Sequence, residues 1–156
     1  VKEKAGSRPL VLWALILLQF LLGLGALAGG GVLILGPDGH LIQMPVSMLK
    51  GTPFRDFLVP GILLFVLVGI YPILAGYSLL ARPDWRWPDR INPFHRAHWS
   101  WAGSLAAGVV LMVWIAAQVI LLRAVAFLHV LYFAWGIAMI LLTLSPGVRR
   151  HLARRS

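Results

Sequence analysis

The sequence predicts an all-α fold, a four-helix transmembrane bundle in an up-down arrangement with a folded external loop between helices 1 and 2. Three observations predict it. First, 60% of the 156 residues are hydrophobic and only 12% are charged, with a mean hydropathy of +0.84. A soluble domain carries about 25% charged residues, so this chain has too little charge to cover a water-facing globule, and its hydrophobicity is the opposite of a disordered segment. Second, four stretches contain no Asp, Glu, Lys or Arg and are long enough for the about 20 residues that cross a bilayer core. Third, Lys and Arg collect on alternate connections rather than being spread evenly.

The first span is expected over 10–35, the second over 57–81, the third over 101–122 and the fourth over 124–144. Each must be helical, because an open strand in hydrocarbon leaves its backbone polar groups unpaired. The connections between them are short, so 1–156 reads as a single integral membrane domain. A second pattern overlaps the first span. Lys2 to Arg8 is basic and Ala26-Leu27-Ala28 resembles a signal-peptide cleavage site. The apolar run continues past that site to Leu35, which favours a retained span.

Orientation follows from the basic residues. Lys2, Lys4 and Arg8, then Arg82, Arg86, Arg90 and Arg96, then Arg149, Arg150, Arg154 and Arg155 fall on one side, against Lys50, Arg55 and Arg123 on the other. The rule that retains Lys and Arg in cytoplasmic connections places both termini inside the cell, at the inner membrane. Trp13, Trp85, Trp87, Trp99 and Trp101 fall near the same boundary, where an amphipathic ring suits headgroup level. The net charge of +9 therefore reports membrane threading, and no nucleic acid is expected as a partner.

Between the first two spans, Gly36-Pro37-Asp38-Gly39 is a turn signal flanked by segments that can pair as a short hairpin, Val32 to Leu35 and His40 to Met44. A helical turn at Val46 to Lys50, stopped by Gly51, is expected next. Thr52 then reads as an N-cap with Pro53 at the first helical position and Asp56 in the first turn. So apolar a loop is expected to fold over the bundle as a plug, or as a lid. In the connection 82–98, Pro83, Pro88 and Pro93 forbid a continuous helix, and Arg alternating with Trp suits anchoring at anionic headgroups. Pro72, after Tyr71, is expected to kink the second span.

Chemistry inside a membrane is marked by polar side chains in the hydrocarbon. Trp114 and Gln118 share one helix face at i, i+4, and His129 and Tyr132 share another at i, i+3. A turn at Arg123-Ala124 would bring Gln118 and His129 to similar depth, where a hydrogen bond would form a small polar pocket or simple helix-helix glue. No span supplies a carboxylate partner for His129, so no catalytic residue is assigned. Cysteine is absent, which excludes disulfides and thiolate metal sites. His95 and His98 at i, i+3 offer two ligands with no third nearby, so no metal and no cofactor is expected. Gly25 and Gly29 form a GxxxG in the first span, and Gly103 with Ala107 gives a small-xxx-small face in the third.

Three segments carry a resemblance: the loop Gly36 to Lys50, the approach Gly51-Thr52-Pro53-Phe54-Arg55-Asp56-Phe57-Leu58-Val59-Pro60-Gly61, and Val113-Trp114-Ile115-Ala116-Ala117-Gln118. On these the chain resembles the small four-span integral membrane proteins of bacteria. The resemblance implies the four-span fold and carries no activity with it. The residues themselves favour a non-enzymatic accessory or scaffold subunit that packs on itself or on a membrane partner through its glycine faces, with membrane lipids as surroundings. The alternatives are a lipid or apolar small-molecule binding protein with the external loop as lid, and a small membrane enzyme or transporter.

Overall fold

The computed structural model describes residues 8–94 and 97–153, so Lys2, Lys4, His95, Arg96, Arg154 and Arg155 lie outside the described residues. The described residues form six helices: α1 (Leu10–Leu35), α2 (Leu58–Ala81), α3 (Arg86–Ile91), α4 (Trp99–Leu122), α5 (Phe127–Leu144) and α6 (Pro146–Leu152). No strand occurs among the described residues. The helices α1, α2, α4 and α5 are each long and apolar enough to cross a membrane. Each packs on its neighbour in sequence, and α5 closes the ring against α1. This is the expected up-down bundle.

One face of α1 supplies much of the core through Leu12, Leu15, Ile16 and Leu22, which meet Val68, Ala75 and Leu79 of α2 and Leu111 and Met139 of the other two spans. The outward faces stay apolar, with Leu17, Val113, Ile120 and Leu141 all more than half exposed. An apolar surface of that extent suits hydrocarbon and not water. Polar groups in the interior are tied to backbone: Thr143 Oγ1 donates to the Met139 carbonyl and Ser78 Oγ to that of Ala75, each at 2.7 Å. Gln19 and Ser104 are exceptions, both fully buried, with the Gln19 amide atoms and the Ser104 hydroxyl unpartnered.

Several local expectations are corrected. Residues 32–35 finish α1, so no hairpin forms, and His40–Ile42 and Val46–Leu49 are single 3₁₀ turns instead. The second of these is the expected turn before Gly51, which has φ +87°. The second span starts at Leu58 rather than after Thr52. Thr52 Oγ1 donates to the Leu49 carbonyl at 2.8 Å, and it is Asp56 whose carboxylate accepts the Leu58 N–H at 3.0 Å. Leu49 and Phe57 are buried, and the Val46–Leu49 turn rests on α4, so the loop does fold back over the bundle.

Pro72 is accommodated differently from a sharp kink. Having no N–H and a bulky ring, it cannot follow a regular α-turn, and the preceding residues Leu64–Ile70 widen to π-type turns. The fourth span begins at Phe127, not 124, because Arg123 turns the chain through the left-handed region (φ +50°) and 124–126 stay exposed.

At the end carrying the basic connection, hereafter the basic end, the chain is more folded than expected. Trp101 is buried rather than interfacial, its indole N–H donating to the Thr143 carbonyl at 2.8 Å. Pro146–Leu152 form α6, capped by Ser145 with Pro146 at the first position. Its Val148 and Leu152 are buried under the bundle. The His98 N–H donates to the Leu152 carbonyl at 2.9 Å, tying α6 to the start of α4.

Candidate functional site

The four polar residues singled out in sequence lie on facing helices without forming one network. Trp114, Gln118, His129 and Tyr132 are all half-buried. The expected Gln118–His129 hydrogen bond is absent. His129 sits in the first turn of α5, and its Nδ1 accepts the Ala126 N–H at 3.0 Å, closing its own helix start. Tyr132 stacks on Trp135 with ring centroids 6.0 Å apart. The groove that His129 reaches, about 430 Å³, is walled by apolar side chains including Ile115, Val119, Phe133 and Ile137. The late start of α5 explains the difference: at helix position N3 an imidazole reaches its own backbone more readily than a neighbouring helix.

The small residues are also distributed differently. Gly25 and Gly29 are exposed; a methyl on Gly25 would meet nothing within 4 Å, and one on Gly29 only Leu64 at 3.7 Å. The close approach of α1 and α2 runs through Gly30 instead. A methyl there would lie 2.8 Å from the Gly61 carbonyl oxygen and 2.8 Å from the Phe65 nitrogen. Between α4 and α5 the corresponding pair is Gly108 and Gly136. Ala107 is buried, whereas a methyl on Gly103 would point into open space.

That open space belongs to a larger groove. Between α2 and α4, at the basic end, lies a cavity of about 700 Å³. Tyr71, Leu74 and Ala75 form one wall, and Ala102, Gly103 and Ala106 form the other. The small residues on α4 leave the room that larger side chains would fill. The connection supplies the roof through Trp85, Trp87, Pro88 and Ile91. Trp85 is held there by stacking on Trp99 at 5.5 Å, while the Trp99 indole donates to the Pro83 carbonyl at 3.0 Å. Asn92 fastens the far side of the roof, its Nδ2 donating to the carbonyls of Phe94 and Ala97 and its Oδ1 accepting the Phe94 N–H.

Three polar side chains lining this groove, Tyr71, Asn92 and Trp99, are already engaged. The Tyr71 hydroxyl donates to the Gly103 carbonyl at 2.8 Å, and the Asn92 amide serves the connection. No nucleophile with an adjacent base faces the space, and no group of three metal-ligating side chains occurs among the described residues. His98 is occupied at the head of α4, where its Nδ1 accepts the Ser100 N–H at 3.3 Å. A site of this chemistry binds by burying apolar surface.

No family model, no curated protein and no solved structure matches the chain.

Sequence reading missed this groove although its parts were visible. Read separately, the Arg-Trp-Pro connection suits a headgroup anchor and Gly103 with Ala107 a packing face, while Ala102 and Ala106 carry no signal of their own. The missing signal was long-range: which helix the small face opposes depends on the ring order of the bundle.

Proposed function

We propose that this chain is a non-enzymatic integral membrane protein of the bacterial inner membrane, with both termini cytoplasmic, that holds an apolar chain in the groove between α2 and α4. The occupant is a lipid acyl chain or a molecule of similar shape. The observation that carries the reading is the groove itself: about 700 Å³, apolar on both walls, roofed by Trp85 and Trp87, with the Tyr71 hydroxyl already hydrogen-bonded. At the basic end this space opens at the depth where, in the proposed orientation, inner-leaflet chains begin. The loop 36–57 folds over the opposite end and is not its lid.

Proteoliposomes containing a phospholipid with a photoactivatable diazirine on its acyl chain test this. Crosslinks concentrated on Leu74, Ala102 and Ile91, and lost on Ala106→Trp, support it. Labelling spread evenly over the outward faces of all four spans contradicts it.

A second reading is favoured by the exposed Gly25, Ala28 and Gly29. This small-residue strip is not used inside the chain and suits close approach of another helix. On this reading the protein is an accessory or scaffold subunit, and Gly29→Leu dissociates an oligomer or complex seen in detergent. Unchanged assembly counts against it.

A further inference from the structure

Three basic side chains from separate elements gather at the basic end. Arg8 precedes α1 and reaches the end of α2, Arg82 follows α2 in the left-handed conformation (φ +47°), and His151 lies in α6, which packs on the start of α1. Arg8 has evident structural employment: its Nη2 donates to the Leu80 carbonyl at 2.8 Å, and its guanidinium lies 5.5 Å from the centre of the Trp13 ring. A cation at a helix C-terminus answers the carbonyls that the last turn leaves free.

Arg82 and His151 have no such employment. Arg82 Nε and Nη2 are buried without an acceptor, and so is His151 Nε2. No carboxylate among the described residues pairs with Arg8, Arg82 or His151. Burial and the neighbouring Arg8 lower the Arg82 pKa, and burial together with Arg82 and Arg8 lowers that of His151. A buried guanidinium edge beside a buried imidazole nitrogen, both without an acceptor, is costly in isolation and is answered by an anion.

We propose that Arg82, His151 and Arg8 form a binding site for a phosphate group, carried by an anionic lipid headgroup or as free phosphate. Nε and Nη2 are the two donors on one edge of a guanidinium, the edge that engages two oxygens of a tetrahedral anion at once. His151 Nε2 adds a donor from a different helix. The level of the site favours phosphate, because a basic pocket between helix ends at a membrane surface lies among headgroup phosphates. The site is on the α1 and α6 side of α2, whereas the apolar groove is on the α4 side, so the two readings stand or fall separately.

The test uses the full chain in a non-ionic detergent, titrated with inorganic phosphate followed by ³¹P NMR and with short-chain phosphatidic acid followed by native mass spectrometry. Arg82→Gln and His151→Ala are each expected to weaken binding at least tenfold. Arg90→Gln, which removes the same charge from the exposed face of α3, is expected to change it less than twofold. Binding of phosphatidic acid alone assigns the site to a headgroup, and binding of both probes shows that free phosphate suffices. If neither probe binds the proposal is overturned, as it is by equal loss in Arg82→Gln and Arg90→Gln. Should the variants misfold, phosphate or phosphatidic acid must still protect Arg82, but not Arg90, from phenylglyoxal on the unaltered chain; equal modification of both overturns the proposal.

Discussion

The Tyr71 hydroxyl donates to the Gly103 carbonyl across the α2–α4 interface at 2.8 Å. This bond fixes the distance between the two walls of the groove, and it spends the tyrosine's polarity on the backbone rather than on an occupant. Tyr71→Phe is expected to lower the unfolding free energy by about 0.6 kcal/mol, the average for interhelical hydrogen bonds in a membrane. The helicity should stay unchanged. Unfolding in mixed micelles by increasing denaturing detergent measures it.

Gly30 and Gly25 separate packing inside the chain from packing outside it. Gly30→Ala forces its methyl against the Gly61 carbonyl and the Phe65 backbone, and is expected to cost about 1–3 kcal/mol, the usual range for overpacking. Gly25→Ala adds a methyl in open space and is expected to be neutral or slightly stabilising in the same assay.

Gln19 is buried on all sides with neither amide atom bonded to another described residue. Gln19→Met keeps the side-chain length and removes the unsatisfied groups. It is expected to raise stability by about 1 kcal/mol, the lower end of the penalty for a buried polar group. A decrease would mean that the amide is satisfied in the membrane.

His151 sets a pH dependence. Its pKa is held below the usual imidazole value of 6.5 by burial, then by Arg82 and Arg8, with Arg149 and Arg150 on the same short helix. As pH falls, the unfolded chain therefore takes up this proton before the folded chain does. Stability is complete above about pH 6.5 and declines below it, through the depressed folded-state value. Unfolding midpoints between pH 7.5 and 5 in phosphate-free buffer should show the decline, and His151→Gln should flatten it.

The four spans were legible because length and hydropathy alone determine what can cross a bilayer. Leu10–Leu35 matches its expected bounds, and the other spans shift by one to three residues at their ends. What was not legible depended on competition among local partners. Thr52 carries the signature of a cap, but its hydroxyl turns back to Leu49 while Asp56 takes the helix start. His129 was expected to reach across to Gln118, yet the backbone of its own first turn was nearer. The helix α6 was readable in principle from Ser145-Pro146 and the apolar pair Val148 and Leu152. The groove was not, because it arises only when the connection folds back onto the two spans that it joins.

The most direct test of the groove is to release the full chain from native membranes in mild detergent and weigh it by native mass spectrometry beside Gly103→Phe, which fills the space between the walls. One apolar molecule retained by the unaltered chain and missing from Gly103→Phe is the predicted result. The same adducts on both, or none on either, would contradict the account.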